Sequence, residues 1–196
     1  MKTDFPKNII MFGDDHWYDL LPLTFTRPIC ELRVGILTIK EKWENYFNGV
    51  ASFITQDYLA EKYPIIIDKD NILINSTFLP DKQLVNFIFQ LRNNEALLFG
   101  SELIAARLSE EQFDVLGQDK DALQNLKGID LSNESSISFR RITRPHHIFL
   151  LNGEEIVNDF KLLTDGRKSA PISESNRISG KYPVFAEEGV TMECCI

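Results

Sequence analysis

Aliphatic residues recur every six positions near the C-terminal end of the sequence, and this spacing constrains the fold more than any other feature. The residues of this series are Ile178, Val184, Val190 and Ile196. An α-helix repeats every 3.6 residues and a β-strand every two, whereas a parallel β-helix is built from hexapeptide repeats. Gly180 and Gly189 interrupt the series as turns would. The pattern therefore predicts the first turns of a β-helix, unless four aliphatic residues share this spacing by chance in a frayed tail.

About three stacked repeats are needed before such a solenoid is stable. The series begins at Ile178 and the sequence ends at Ile196, so we expect this chain to be the front part of a longer protein. We assign residues 171–196 to a linker and the start of the hexapeptide region, and residues 1–170 to a separate domain.

Residues 1–170 alternate short apolar runs with helical patterns, which is typical of a mostly parallel sheet covered by helices on both faces. The predicted strands are residues 8–12, 52–55, 71–75, 96–99, 103–107 and 138–142. The predicted helices are residues 34–47, 56–62, 80–91 and 152–163, the last capped by Asn152 and turning Ile156, Phe160 and Leu163 inward. Residues 109–136 are acidic and weakly patterned, and we expect short helices or an excursion there.

Composition excludes several classes of partner. The chain has 196 residues, a formal net charge of −8 and three cysteines, two of them adjacent. An acidic chain does not suit a nucleic-acid backbone, which requires clustered lysine and arginine. The sequence has neither the apolar run of about 18 residues that a membrane span requires nor a secretory leader. We therefore expect a cytoplasmic protein without a disulfide framework, which binds neither nucleic acid nor membrane.

The loop after the first predicted strand, residues 13–33, lies at the carboxyl end of that strand, where ligands bind in an open parallel sheet. Arg27 and Arg33 present planar guanidinium groups suited to phosphate oxygens. Backbone amides near Gly13 and at residues 34–35 would complete an anion-binding cradle. The alternative is a solvated loop in which both arginines pair with carboxylates of the same loop. These carboxylates are Asp14, Asp15, Asp19 and Glu31.

Two further groups of side chains are candidates for ligand contact. His146 and His147 follow a predicted strand, and either contact a sugar or phosphate or are ordinary surface and capping residues. Adjacent histidines point apart, so we do not expect them to chelate one ion together. Trp17, Tyr18 and Phe25 either stack on a base or pack beneath the loop.

The loop also contains the stretch Leu-Pro-Leu-Thr-Phe-Thr-Arg-Pro at residues 21–28, which resembles the Pro-Leu-Thr…Pro-Lys signature of sugar-1-phosphate nucleotidyltransferases. Residues 20–43, 71–81 and 145–160 resemble a bacterial subgroup related to the bifunctional N-acetylglucosamine-1-phosphate uridylyltransferase/acetyltransferase. That subgroup joins a Rossmann-like nucleotidyltransferase domain to a left-handed β-helix. The resemblance implies the same order here, with a nucleoside triphosphate and a sugar 1-phosphate as substrates. It also implies a requirement for Mg²⁺ and a homotrimer formed through the β-helix.

Three positions depart from the family pattern. The Gly-x-Gly-Thr-Arg loop is reduced to Gly13, the sugar-phosphate lysine corresponds to Ile29, and the metal-binding Gly-Asp pair falls at Ser76–Thr77. A threonine hydroxyl is neutral, so it substitutes poorly for a carboxylate at a hard divalent ion. Two interpretations stay open: an enzyme with atypical motifs, or a catalytically impaired domain that binds a nucleotide or sugar phosphate. A third places the main chemistry in the β-helix, as an acyltransferase, with this domain as its scaffold.

The resulting site prediction has three parts. We expect catalytic roles for Arg27 and Arg33, which would neutralise the departing pyrophosphate. The expected nucleotide- and sugar-phosphate-binding residues are Gly13, Asp14, Thr24, Thr26, Asn75, Ser76, His146 and His147. The expected ligands of a displaced Mg²⁺ are Asp14, Asp15 and Asp81.

Overall fold

A computed structural model describes residues 8–118, 126–132 and 138–194, which form a six-stranded sheet flanked by helices. The strands are Asn8–Phe12 (β1), Val50–Ile54 (β2), Asp70–Asn75 (β3), Glu95–Phe99 (β4), Glu102–Ser109 (β5) and Lys127–Asp130 (β6). The helices are His16–Asp19 (α1), Ile39–Phe47 (α2), Asp57–Ala60 (α3), Lys82–Phe89 (α4), Glu110–Gln118 (α5) and Pro145–Thr164 (α6). A 3₁₀ turn covers Ile29–Glu31.

The strand order β2-β1-β3-β5-β4-β6 combines parallel and antiparallel pairs. β1 runs parallel to β2 and β3, and β6 runs parallel to β4. β5 is antiparallel to β3 and β4, because the turn at residues 100–101 is too short for a parallel crossover. The prediction of an α/β domain with a mostly parallel sheet is confirmed, with one antiparallel strand inside it.

One predicted strand is wrong. Residues 138–142 do not join the sheet as a strand; Arg141 forms only an isolated bridge with Phe78. The segment packs on the domain through side chains instead: Ile142 is buried, and the Phe139 ring lies 5.7 Å from that of Phe78 and 5.2 Å from that of Phe99. The acidic stretch supplies α5 and the edge strand β6. Its residues 119–125 and 133–137 lie outside the described residues.

Both faces of the sheet are covered, and one cover is larger than the other. On the larger side, Ile9 and Ile72 pack against apolar residues of α2 and α4. These helix residues are Ile39, Trp43, Phe47, Leu84, Val85 and Ile88. On the other side a smaller cluster gathers Ile10, Leu73 and Phe113 of α5. Alternate residues of β1 thus enter two separate cores, as the period of two in a strand requires.

α2 begins at Ile39 and not at residue 34, because Thr38 caps it. The Thr38 hydroxyl accepts a hydrogen bond from Glu41 N (3.2 Å), and the Glu41 carboxylate accepts one from Thr38 N (2.7 Å). This reciprocal capping box sets the helix start, so residues 34–37 form a loop. The predicted end is confirmed at Asn48, which adopts the left-handed conformation with a φ of 49°.

α6 is longer than predicted and presents a different face to the core. It begins at Pro145, in the first-turn position that proline favours, so Asn152 lies inside the helix and does not cap it. The buried residues of α6 are Glu155 and Asp159, whereas Ile156 is 43% exposed. The prediction is wrong for Ile156, whereas Phe160 and Leu163 are half-buried. The two fully buried positions are taken by carboxylates because a charged side chain lies opposite them.

That side chain is Lys42 of α2, which is fully buried. Its ammonium lies 2.8 Å from the Glu155 carboxylate and also pairs with Asp159. Arg140 Nε lies 3.1 Å from the other oxygen of Glu155, so two cations face two buried carboxylates. Charges removed from water are tolerated when each is paired and hydrogen-bonded. We call Lys42, Arg140, Glu155 and Asp159 the buried charge cluster.

The buried charge cluster also holds the loop before α2. The Asp159 carboxylate accepts hydrogen bonds from Ile36 N (2.9 Å) and Leu37 N (3.0 Å). Asn152 Oδ1 accepts another from Gly35 N at 2.9 Å. Gly35 has a φ of +87°, and a β-carbon there would lie 2.6 Å from Asp159 Oδ2. Glycine therefore allows α6 to approach this loop closely.

The described residues after α6, 165–194, form neither helix nor strand. The chain passes beside itself here, since Ala170 N donates to Ala186 O (2.8 Å) and Asn176 Nδ2 donates to Met192 O (2.7 Å). Three aliphatic residues of the six-residue series are about half exposed: Ile178 (56%), Val184 (49%) and Val190 (49%). Ile196 lies outside the described residues. The β-helix and the boundary at residue 170 stay predictions.

Within the described residues, none of the helices combines the length and the apolarity needed to cross a bilayer.

Removing the central cation of the buried charge cluster should destabilise the fold. Lys42→Met leaves the buried Glu155 and Asp159 without their shared partner, and we expect the free energy of unfolding to fall by about 3–5 kcal/mol. Urea denaturation followed by circular dichroism measures this change. Lys40→Met is the matched control, because Lys40 lies on the same helix in a partly exposed 3.0 Å pair with Glu31 and should contribute only about 0–1 kcal/mol. Equal effects of the two substitutions would contradict this account.

Two glycines offer a second matched comparison. Gly35→Ala forces a left-handed backbone on alanine and places its β-carbon against Asp159, so we expect a loss of at least about 1–3 kcal/mol. Gly153→Ala, inside α6 with no atom within 4 Å of the new β-carbon, should instead stabilise the protein by about 0.5–1 kcal/mol. Thermal melts of both variants test this, and a Gly35→Ala protein as stable as the wild type would show that α6 does not dock as described.

Candidate functional site

The strand order changes direction at β1, because β2 lies on one side of β1 and β3 lies on the other. Ligands of open α/β sheets bind at such a switch point, outside the carboxyl ends of the strands. The two strand ends are joined there by a hydrogen bond from Ser76 N to Phe12 O (2.8 Å). Another runs from Asn75 Nδ2 to Asp14 Oδ2 (2.9 Å). The structure thus brings together Asp14, Asn75 and Ser76, three of the predicted binding residues.

A crevice of about 170 Å³ opens beside the switch point, at the carboxyl ends of β1 and β2. Its lining comes from the loop after β1 and from the end of β2: Gly13, Trp17, Pro28, Ile29, Ile54, Thr55 and Gln56. Ile29, where the resemblance places a lysine, is 1% exposed. Its side chain reaches within 3.3 Å of the position that a β-carbon on Gly13 would take. Ile29 is therefore a packing residue of the crevice wall and offers no charge to a ligand.

The two predicted cations of this loop differ in their contacts. Arg27 precedes the crevice residue Pro28, is exposed, and forms no ion pair or hydrogen bond with any residue that the structure describes. Arg33 lies 3.7 Å from Glu41 and donates a hydrogen bond to Ile36 O. Arg27 is thus available to an anionic ligand, whereas Arg33 is engaged with the loop and the first turn of α2.

The aromatic residues of the loop also separate into two kinds. Trp17 is 7% exposed and packs beneath the loop, with its ring 5.0 Å from that of Tyr18. Tyr18 and Phe25 are 71% and 56% exposed. Base stacking by Trp17 would therefore require the loop to open, whereas the other two rings are accessible as they stand.

The polar groups at the end of β3 hydrogen-bond to one another. Asn75 Oδ1 accepts from Thr77 N (2.9 Å) and from Thr77 Oγ1 (2.8 Å), and Thr77 is fully buried. Ser76 is also buried, beside the Cys30 thiol, and burial raises the pKa of this thiol to about 12. Thr77, where the resemblance places a metal-binding aspartate, therefore uses its hydroxyl within the protein.

Arg141 crosses the switch point between two carboxylates. Its guanidinium donates to Glu102, and its Nη2 lies 3.9 Å from Asp14 Oδ2 and 3.5 Å from Thr77 Oγ1. The guanidinium also lies over the Phe78 ring, 4.3 Å from its centroid. The side chain is 20% exposed. A fixed positive charge therefore stands between Asp14 and Glu102.

A second set of ion pairs joins α1 to the start of α6. His16 Nδ1 lies 2.9 Å from Asp19 Oδ2, and His16 Nε2 lies 3.9 Å from Glu102. Asp19 also pairs with Arg144, the residue before α6. The hydrogen bond with His16 and the charge of Arg144 lower the pKa of Asp19. Asp19 is therefore ionised at neutral pH and links the two elements electrostatically.

The two predicted histidines have different environments. His147 Nδ1 accepts a hydrogen bond from Thr143 N (3.2 Å), which requires this nitrogen to be unprotonated. Burial lowers the pKa of His147, and the charges of His146, Arg144 and His16 act in the same direction. His146 is exposed, with its ring 4.4 Å from that of His147. His147 is thus neutral at neutral pH and borders the ion pairs of His16 and Arg144.

Four other predicted residues have separate positions. Thr24 is fully buried and its hydroxyl donates to Trp17 O (2.8 Å), which makes it a support of the loop. Thr26 and Asp15 are exposed on the same loop. Asp81 caps α4, where its carboxylate accepts a hydrogen bond from Leu84 N (2.8 Å).

These positions do not fit a Mg²⁺ ion held by Asp14, Asp15 and Asp81. The Asp14 oxygens accept hydrogen bonds from His16 N (3.0 Å) and Asn75 Nδ2 (2.9 Å), and Asp81 is occupied by the cap of α4. In residues 8–118, 126–132 and 138–194, no group of three or more His, Cys, Asp or Glu side chains is arranged to hold a metal ion. The three carboxylates are therefore not assembled into one ligand set.

Unpartnered buried polar atoms concentrate at this end of the sheet. Among the described residues, four buried side-chain N or O atoms make no hydrogen bond. Three belong to the switch point and crevice: Trp17 Nε1, Ser76 Oγ and Arg141 Nε. The fourth, Arg140 Nε, lies 3.1 Å from Glu155 and is compensated electrostatically. Each such atom costs about 1–3 kcal/mol of stability, so their clustering makes this end of the sheet the candidate site.

Comparison with known families gives this geometry a biochemical context. Residues 9–168, most of the chain, match the sugar nucleotidyl transferase family. The chain belongs to this family. Among curated proteins, no match is found. Membership implies a nucleotide and a sugar phosphate as the substrates of a transferase of this kind.

Sequence reasoning missed several residues of this candidate site. The missed residues are His16, Asp19, Glu102, Arg141 and Arg144. Arg141 pairs with Glu102, 39 positions away, and Arg144 with Asp19, 125 positions away. The one available signal was the doublet Arg140–Arg141, since adjacent cations in a segment with buried Ile142 require carboxylate partners.

Acidification should destabilise the protein through His147. Its pKa is lower in the folded than in the unfolded protein, so the unfolded protein binds more protons as the pH falls through about 6.5, and stability decreases. His147→Gln should flatten the dependence of melting temperature on pH between about pH 7.5 and pH 5. His146→Gln is the control and should keep the wild-type slope, because His146 is exposed. An unchanged slope in His147→Gln would show that His147 is not held neutral.

Proposed function

We propose that this chain transfers a nucleotidyl group from a nucleoside triphosphate to a sugar 1-phosphate, with release of pyrophosphate, at the carboxyl ends of β1, β2 and β3. The observation that carries the proposal is the exposed Arg27, which immediately precedes the crevice residue Pro28. Within the described residues it has no partner of its own. Family membership supports the reaction class, and the switch point supports the location.

The loop after β1 would supply the phosphate contacts. Arg27 has a planar guanidinium that can donate two hydrogen bonds to one phosphate. Gly13 leaves the backbone at the end of β1 open, because it has no side chain and is exposed. Nucleotidyl transfer depends mostly on positioning and on neutralising charge, so an exposed guanidinium on the loop that lines the crevice, without a partner among the described residues, is the kind of group to expect there.

The crevice is suited to part of the nucleotide. Its volume of about 170 Å³ is below the 300–1,000 Å³ or so of typical ligand pockets, so the phosphates and the sugar would lie outside it, along the switch point. The unpartnered Trp17 Nε1 at the crevice wall would gain an acceptor from a bound ligand if the loop shifts on binding. Which base and which sugar are used stays open to experiment.

Mg²⁺, where it serves this chemistry, lowers the negative charge of the transferring phosphates. Asp14 is the one predicted carboxylate at the switch point, and both of its oxygens already accept hydrogen bonds. The chain's own contribution is therefore the positioning of phosphates by Arg27 and of the strand ends by the pairing of Asp14 with Asn75.

A second candidate function is a binding domain without turnover. Two buried residues favour it. Ile29 packs within the protein at the position where the resemblance places a lysine. Thr77 donates a hydrogen bond to Asn75 at the position where the resemblance places an aspartate. Such a domain would be stabilised by ligand, by about 2.7 kcal/mol at 100 times Kd, and would release no pyrophosphate. Both candidates use the same crevice.

Pyrophosphate release from a panel of nucleoside triphosphates and sugar 1-phosphates separates the two functions. Arg27→Ala should weaken nucleotide binding about 10- to 100-fold, because hydrogen bonds to charged groups are worth roughly 1.5–3 kcal/mol. Its melting temperature should stay that of the wild type, since Arg27 has no described partner. Calorimetric titration and a thermal melt on the same variant measure both quantities.

Arg92→Ala is the matched control for Arg27→Ala. Arg92 is also exposed, but it precedes the amino end of β4, whereas the crevice lies at the carboxyl ends of β1 and β2. This substitution should change neither affinity nor stability. Unchanged affinity in Arg27→Ala would contradict the proposed phosphate site. Ligand-dependent stabilisation without turnover for any substrate pair would favour the binding domain over the transferase.

A further inference from the structure

We propose that Arg141 is a tethered cation that fills the place between Asp14 and Glu102, so that this site binds its phosphate ligands without a divalent metal ion. The binding of phosphate ligands rests on the proposed function, whereas the role of Arg141 as the resident cation does not. The proposal starts from the disagreement between the Mg²⁺ that the resemblance implies and the carboxylates that the structure assembles.

The position of Arg141 is fixed from several sides. Its guanidinium donates to Glu102 and lies 3.9 Å from Asp14 and 3.5 Å from the Thr77 hydroxyl. The plane of the same group lies over Phe78, at 4.3 Å from the ring centroid. A guanidinium is planar, always charged and weakly hydrated, so it suits a partly buried place between two carboxylates.

The carboxylates around Arg141 are those that a metal ion would need. Asp14 and Glu102 supply oxygen atoms, and His16 Nε2 lies 3.9 Å from Glu102. Within the described residues no three such side chains are arranged as a metal site, but the two carboxylates offer oxygen atoms that suit Mn²⁺ and similar ions. In this structure they surround a guanidinium instead. An entering dication would meet the positive charge of Arg141 at its centre, and like charges at short range repel.

The backbone around Arg141 supports the same assignment. Arg141 bridges to Phe78, and Ile142 N donates to Thr77 O (2.8 Å), so the segment is attached to the end of β3. Arg140, its neighbour, is held by Glu155 in the buried charge cluster. A side chain fixed at both its backbone and its guanidinium is not free to swing aside for a metal ion.

The resident charge has a consequence for ligands. Arg141 offsets one of the two carboxylates, and Arg144 offsets Asp19, so the negative charge that would repel a phosphate is largely cancelled without an added ion. Arg27 then adds a positive charge that has no described partner. The site as built can therefore accept an anion in the absence of metal.

Titration with Mn²⁺ in the absence of nucleotide tests whether Arg141 takes the place of a metal ion. The wild-type protein should bind Mn²⁺ weakly or not at all by electron paramagnetic resonance. Arg141→Met should bind it at least about tenfold more tightly, because Asp14 and Glu102 lose their internal cation. Arg141→Lys is the matched control: it keeps a positive charge and should show no such gain. Tight Mn²⁺ binding by the wild type, equal to that of Arg141→Met, would overturn the proposal.

Nucleotide binding to the wild-type protein tests whether phosphate ligands bind without a divalent metal ion. The affinities for ATP, GTP, CTP, UTP and dTTP are measured by calorimetry in EDTA and in excess Mg²⁺. The best of these nucleotides should bind with affinities within about threefold in the two buffers, whereas a loss of tenfold or more in EDTA would overturn metal independence.

The two arms keep the failures apart. If none of the nucleotides binds, the proposed function falls, and the Mn²⁺ comparison still decides the role of Arg141. If Arg141→Met does not fold, as circular dichroism would show, the Mn²⁺ titration of the wild type decides: absence of binding supports the proposal and tight binding overturns it.

Discussion

The buried pairing of Lys42 with Glu155 and Asp159 is the interaction on which the arrangement of this protein depends. It joins α2, which covers one face of the sheet, to α6, whose two buried residues are the carboxylates Glu155 and Asp159. Charge balance explains why these groups can be buried, since Arg140 supplies the second cation beside Glu155. Because α6 begins immediately after Arg144, its docking also sets where the cations of the candidate site lie.

The candidate site combines two parts. One is the end of β1 and β3, tied by the hydrogen bond between Asn75 and Asp14. The other is the segment before α6, which brings Arg141 between Asp14 and Glu102. Several charges at the site pair with one another, as Arg141 does with Glu102 and Arg144 with Asp19. Among the described residues, Arg27 on the loop that lines the crevice has no ion pair or hydrogen bond, so it is the cation that we expect to meet an anionic ligand.

Patterns local to one element predicted the fold well. The runs at β1 and β3, the Asn48–Gly49 end of α2 and the turn at residues 100–101 each contain their own signal. The start of α2 also had one, since Thr38 and Glu41 form a capping box, but the aliphatic residues at 34–37 imitate a helix period. Apolar spacing then misplaced the inner face of α6, because periodicity counts hydrophobic residues and this helix buries carboxylates.

Contacts between distant elements account for what the sequence left open at the site. The partners of Arg141 and Arg144 lie on β5 and α1, and nothing in their local sequence specifies those pairings. Arg33 illustrates the same limit, because its carboxylate partner is Glu41 on the next helix and not an acid of its own loop. Ile29 is buried against Gly13, a contact between two parts of the loop that the sequence near Ile29 does not specify.

A crystal structure of this protein with a nucleoside triphosphate and a sugar 1-phosphate tests the central claim most directly. The account predicts phosphate oxygens within hydrogen-bond distance of the Arg27 guanidinium, beside Gly13. It also predicts that Arg141 stays between Asp14 and Glu102. Phosphates bound elsewhere, for example in the cleft lined by Lys82, Arg140 and Lys161 between α2, α4 and α6, with Arg27 left in solvent, would contradict it.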